Sequence, residues 1–125
     1  MKRNVIAFDF DGTLHSNREG DPIGAPIQPV IDYLYESEQT GTQLILITMR
    51  PKSDRKEVKG FLARHHLNVS KIYFTYSDRI DILSRNKVCV YLDDRLSNLR
   101  PIQKALPLLS CWRVIHGHMK PFSVS

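Results

Sequence analysis

Cysteine is scarce in this sequence. Only Cys89 and Cys111 occur among 125 residues. They lie in or beside apolar runs, without the paired spacing of a metal knuckle or a disulfide framework, and are expected to be buried thiols in a reducing cytoplasm. No apolar stretch approaches the roughly 20 residues that cross a bilayer as a helix. The opening "MKRN" is basic, but no apolar h-region follows it, so a secretory signal is not expected. Acidic side chains are the minority, 13 Asp and Glu against 18 Lys and Arg, which leaves a formal charge of +5. That excess favours polyanionic partners only weakly, because solvated helix faces explain many such imbalances. Repeats, low-complexity tracts and linkers are missing too. One domain over residues 1–125 is expected, large enough for a proper core.

Apolar runs and helical spacings alternate along the chain. "NVIAFDF", "TQLILIT" (42–48), "KIYFTY" (71–76) and "KVCVYL" (87–92) read as strands buried on both faces, and "SCWRVI" (110–115) as a fifth. Ile27, Val30, Ile31 and Leu34 recur at helical spacing, with Gly41 as a stop. Asp54 and Glu57 stand at capping-box positions before Val58, Phe61 and Leu62. Residues 79–85 and 98–106 supply two shorter helices, the latter with Pro101 near its start. Strands alternating with helices predict an α/β, Rossmann-like three-layer sandwich around a mainly parallel sheet of about five strands. In such sheets ligands sit beyond the carboxyl ends of the strands.

Those strand ends carry the chemistry. In an extended chain Asp9 and Asp11 point the same way, with Phe10 opposed. Asp93 and Asp94 end another strand. Carboxylates gathered in one crevice repel unless a cation joins them, and a hard divalent ion with oxygen ligands, most simply Mg2+, removes the conflict. Mg2+ keeps waters and takes phosphate oxygens, so phosphate chemistry is the natural expectation. Asp9 can attack phosphorus as a carboxylate nucleophile, and Asp11 can serve as general acid and base. Gly12 offers a turn whose backbone approaches closely, and Thr48 a hydroxyl. Met49 and Arg50 continue from Thr48 into the expected phosphate site. Arg50 can clamp a phosphate or simply open a loop before Pro51. For the neutralising cation Arg79 is favoured over Lys87. Lys87 opens its strand and lies about 20 Å from the carboxyl end at roughly 3.3 Å per residue.

"DFDGT", the threonine ending "LILIT", a basic residue opening a later helix and the "DD" ending "VCVYLDD" together resemble the four ordered motifs of the haloacid dehalogenase superfamily. The resemblance covers residues 5–99. It implies a Rossmann-like fold and Mg2+-dependent phosphatase activity through an aspartyl-phosphate. By position, Asp9 resembles the nucleophile and metal ligand, and Asp11 the acid/base whose backbone carbonyl also meets the metal. Thr48 resembles the phosphate-binding hydroxyl, Asp94 the direct metal ligand and Asp93 a residue acting behind it. The family usually has lysine where Arg79 is assigned. Neither the 14–41 gap nor the 49–70 gap has room for a cap domain, so a capless member is implied. Its open crevice admits large substrates, or a partner subunit closes it. "LDDR" with the later "CWRV", and Arg50, are also similar to the phosphatase domain of polynucleotide kinase-phosphatases, which acts on 3′-phosphates of nucleic acid ends.

The expected partners are therefore phosphorylated substrates, nucleic acid ends or nucleotides foremost, with no membrane. Small phosphorylated metabolites compete closely. A non-catalytic Mg2+- or phosphate-binding module is the alternative of another class, but a receiver would carry its phosphoacceptor on a middle strand and a lysine on the last. Tyr33, Tyr35 and Trp112 read as packing residues. Arg95 reads as a surface ion pair, and His65 and His66 as favourable charges at a helix end.

Overall fold

The apolar runs do become strands, and they stack into one sheet. The computed structural model of the chain describes residues 4–124. Its elements run β1 (Val5–Phe8), α1 (Gln28–Gln39), β2 (Gln43–Thr48), a 3-10 turn (Lys52–Asp54), α2 (Arg55–Arg64), β3 (Lys71–Phe74), α3 (Arg79–Arg85), β4 (Val90–Asp93), α4 (Leu96–Ala105), β5 (Ser110–Ile115) and β6 (His118–Phe122). The strand order is β3-β2-β1-β4-β5-β6. All neighbours pair in parallel except β5 and β6. The architecture is thus Rossmann-like α/β, with six strands among the described residues rather than five.

The strand missing from the sequence reading is β6. It follows β5 through a two-residue turn at His116 (φ 50°) and Gly117 (φ 76°). Positive φ at both central residues is the backbone of a tight hairpin turn that matches strand twist. His-Gly is a weak signal for that turn, and Pro121 argues against a strand anywhere but an edge, which is where β6 lies.

Strand pleating sorts the core into two layers. Ile6, Phe8, Leu44, Leu46 and Leu92 face α1 and α2, meeting Val30, Leu34, Val58 and Phe61. Val5, Ala7, Ile45, Ile47 and Tyr91 face the other way, toward Ile82 and Leu83 of α3 and Leu99 and Ile102 of α4. The same alternation carried past the strands decides which layer each polar residue meets. Cys111 is buried as expected, whereas Cys89 is exposed at the entry to β4, and both are free thiols. No helix among the described residues is long and apolar enough to cross a membrane.

Two local readings change. Asp54 occupies the cap position of α2 without a side-chain cap bond, because its carboxylate accepts from Arg50 Nη1 at 3.3 Å instead. Helix α4 begins at Leu96, earlier than its spacing implied, so Pro101 falls inside it.

Leu46 is fully buried at the centre of the α1/α2 layer. Leu46→Ala should lower unfolding free energy by about 2–5 kcal/mol, measured by urea denaturation. A loss below about 1 kcal/mol would mean that this layer is loosely packed.

Candidate active site

Beyond Phe8 the chain leaves the sheet. The Asp9 N–H still donates to Leu92 O at 3.0 Å, tying the residue to β4. A tight turn follows, with Thr13 and Leu14 N–H both donating to Phe10 O at 3.2 and 2.9 Å. Gly12 sits in that turn at φ 76°. A Cβ there would overlap the Asp94 carboxylate, whose Cγ lies 2.7 Å from its position. Glycine therefore serves two needs, the left-handed backbone and the close approach of β4's end. Its own N–H donates to His15 O at 3.0 Å, so Gly12 shapes the turn with that donor already engaged.

The turn separates the two aspartates that an extended chain would have aligned. Asp9 keeps the parity of Val5 and Ala7 and faces the α3/α4 layer. There Arg79 Nη2 donates to Asp9 Oδ1 at 3.0 Å. Arg79 Nη1 donates to the Tyr91 hydroxyl at 2.6 Å, and that hydroxyl donates to Asp93 Oδ2 at 2.5 Å. Asp93, fully buried, also accepts from Arg95 N at 3.0 Å and Asn98 Nδ2 at 3.0 Å. Asp93 thereby fixes Tyr91, and Tyr91 fixes the guanidinium. Asp94 is less tied, accepting from Thr13 Oγ1 at 3.3 Å.

Asp11 belongs to a second cluster. Arg50 grips it through Nη2 at 2.7 Å and Nε at 2.9 Å, both to Oδ1. The Arg50 guanidinium stands 5.5 Å from the centre of the Phe10 ring and also donates to Asp21 O at 2.9 Å. In this arrangement Arg50 orients a carboxylate and ties down the 17–26 loop, a role the sequence did not suggest. The buried His15 was not singled out either. Its Nε2 lies 2.8 Å from Asp11 Oδ1, while Asn17 N–H and Gly24 N–H both donate to Nδ1. Two donors aimed at Nδ1 make it the acceptor, so Nε2 carries the ring proton and gives it to Asp11. A lone histidine one turn past an aspartate has no motif to mark it.

Thr48 is fully buried at the end of β2 and accepts from Arg50 N at 3.1 Å, which leaves its hydroxyl proton to donate elsewhere. Met49 is half-buried between them. All nine residues singled out in the sequence thus stand at the carboxyl ends of β1, β2 and β4 and at the start of α3. No buried side-chain nitrogen or oxygen among the described residues lacks a hydrogen-bond partner.

Charge divides the clusters further. Burial, then the nearby Asp93, pushes the Asp9 carboxyl well above its ordinary range, against the pull of Arg79. Burial and Asp93 raise Asp94 to about 6. Burial alone would raise Asp11 as well, but hydrogen bonds from His15 and Arg50 outweigh it and hold the group below its usual value. Arg79 is buried, yet Tyr91, Asp9 and Asp93 keep it firmly charged. Oxygens of Asp9, Asp93 and Asp94 lie within 4.8 Å of one another, close enough to hold one metal ion. Three carboxylates against one guanidinium carry two surplus negative charges when ionised, the charge of a single divalent cation. An all-oxygen donor set fits a hard ion.

The chain is similar to a chain in a solved structure of the Pnkp1/Rnl/Hen1 complex, at 25% identity and a TM-score of 0.71, over 90% of this chain and 45% of that one. A chain in the Pnkp1/Rnl/Hen1 RNA repair complex matches at 22% identity and a TM-score of 0.75, over 90% and 42%. This chain therefore spans less than half the length of these two chains. No protein-family model matches it, and none of the curated proteins matches it significantly.

From about pH 4 to pH 6 the folded protein holds a proton at Asp94 that the unfolded chain releases. That group's contribution to stability therefore falls as pH rises through this window. A cation bound by the trio competes with those protons. Added Mg2+ should raise the thermal midpoint more at about pH 7.5 than at about pH 5, followed by calorimetry. Equal rises at both would show that Mg2+ acts elsewhere.

Proposed function

We propose that residues 1–125 form one capless haloacid dehalogenase-type phosphatase domain, a Mg2+-dependent phosphomonoesterase acting on nucleic acid ends in the cytoplasm. The observation that carries this reading is the buried Asp9, held by Arg79 at 3.0 Å and crowded by Asp93 and Asp94. A carboxylate placed at such cost, with surplus negative charge around it, suits a metal and a phosphoryl group.

Asp9, Asp94 and the Asp11 backbone carbonyl would hold Mg2+, with Asp93 orienting the set from behind. Bound there, the ion screens Asp9 and neutralises phosphate charge. An Asp9 oxygen attacks phosphorus and the ester oxygen leaves, taking a proton from Asp11. Water then attacks the same phosphorus, Asp11 accepts its proton, and the bond to Asp9 breaks to release inorganic phosphate. Thr48, through its hydroxyl proton, and the backbone at Gly12 and Met49 would line the phosphate position, while Arg79 would face it from α3. Asp11 is ionised in its present contacts, which suits the base half of this cycle. Transfer of Arg50 from Asp11 to the substrate phosphate would raise the Asp11 pKa for the acid half.

Nucleic acid is favoured by three features. The chain carries a formal charge of +5. A cavity of about 670 Å³ is walled by three cations, Arg50, Lys56 and Arg64, against two acids, Asp54 and Glu57. The 25% identical neighbour belongs to the Pnkp1/Rnl/Hen1 complex, an assembly described for RNA repair.

Mg2+-dependent phosphate release should be greatest from a 3′-phosphorylated oligonucleotide, ahead of its 5′-phosphorylated counterpart and sugar phosphates. Asp9→Asn should cut it by about a thousandfold or more. Release only from small esters would remove nucleic acid from the reading. Turnover surviving in Asp9→Asn would remove Asp9 as nucleophile.

A further inference from the structure

A cavity of about 400 Å³ lies between the start of α3 and the first turns of α4. Its size falls within the roughly 300–1,000 Å³ of small-molecule sites. Arg79 and Asn98 line it, and these are the residues that bond Asp9 and Asp93. The cavity therefore borders the carboxylate site, with these two side chains between them.

Its walls differ from a phosphate site. Ile80, Pro101 and Ile102 give it an apolar floor, and Asp78 and Asp81 stand on its edge. Asp81 is paired with Arg85 Nε at 2.8 Å, whereas the Asp78 carboxylate disfavours a further phosphate and can accept from an amino group instead. Tyr76, at its mouth, is 79% exposed. An exposed aromatic ring gains little from folding, yet the loop under this one is fixed. Thr75 Oγ1 donates to Ser77 O at 3.0 Å and accepts from Ser77 N at 3.2 Å. Asp78 follows with a left-handed backbone at φ 67°, which aspartate adopts more readily than most side chains. The chain holds a large flat aromatic face in water at a cavity lined by apolar side chains and carboxylates.

We propose that this cavity is a nucleobase subsite, with Tyr76 the face on which the base of the terminal, phosphate-bearing nucleotide stacks. The assignment rests on the phosphatase reading for the position of the phosphate. Stacking on an aromatic ring tolerates every base, so the subsite selects nucleotides as a class without selecting sequence. Asp78 would steer the phosphodiester away from this side.

The test uses the whole chain carrying Asp9→Asn, so that ligand is bound without turnover. Two 3′-phosphorylated oligonucleotides are compared by titration, one ending in 2-aminopurine and one abasic at that terminal position. The base-bearing end should bind about tenfold more tightly than the abasic one, and its fluorescence should be quenched. Tyr76→Ala should erase both the preference and the quenching, and Tyr76→Phe should restore them. Equal binding of the two ends, or a preference that survives Tyr76→Ala, overturns the subsite. So does tighter, Tyr76-dependent binding of a phosphopeptide. Phosphate release by the unsubstituted protein from the base-bearing 3′-phosphorylated oligonucleotide is measured separately. If it is not hydrolysed while the base preference holds, the phosphatase reading fails and the subsite stands.

Discussion

Buried negative charge in excess of its cations is the constraint around which this molecule is arranged. Asp9, Asp93 and Asp94 converge within 4.8 Å, and one guanidinium answers them. Burying an unpaired carboxylate costs several kcal/mol, so each must be met by donors or hold a proton. The surrounding structure reads as the response. Tyr91, Asn98 and the Arg95 backbone saturate Asp93, and Arg79 is locked by the same hydroxyl. Asp9 and Asp94 have fewer donors, and burial raises the pKa of each.

Pleating turns that local arrangement into a division of labour between the faces of the sheet. Val5, Ala7 and Asp9 share one parity, as do Tyr91 and Asp93, so all meet the α3/α4 layer where Arg79 resides. Leu44, Leu46 and Thr48 share the other and lead to Arg50, which lies over Phe10 on the α1/α2 side. A parallel sheet covered on both faces is what allows both clusters to be dry on their inner sides and open at the strand ends.

The sequence made the strands and the two aspartate pairs legible because long apolar runs ending in carboxylates have few other uses. Arg79 could be chosen over Lys87 from rise per residue alone, and it does contact Asp9. The contacts that escaped notice are long-range. Nothing local says that Arg50 will reach Asp11, 39 positions back, or that Tyr91 will bridge Arg79 and Asp93. His15 looks unremarkable until the 17–26 loop folds back and points two N–H groups at it. The shared direction of Asp9 and Asp11 failed for the opposite reason, since it extended strand geometry beyond Phe8 into a turn. The hairpin at His116 and Gly117 was hidden by atypical turn residues, and with it the sixth strand.

The separation of Asp9 from Asp11 has a consequence for how the site can change over time. Each carboxylate takes its shift from its own neighbours, Asp93 and Arg79 for the first and His15 and Arg50 for the second. Groups with no shared partners tend to respond additively to substitution. The acidity of one aspartate can therefore drift, through changes in the 17–26 loop or at Arg50, while the other keeps its setting. Two aspartates of one five-letter motif thus take their acidity from separate neighbours, and a change in one set need not shift the other.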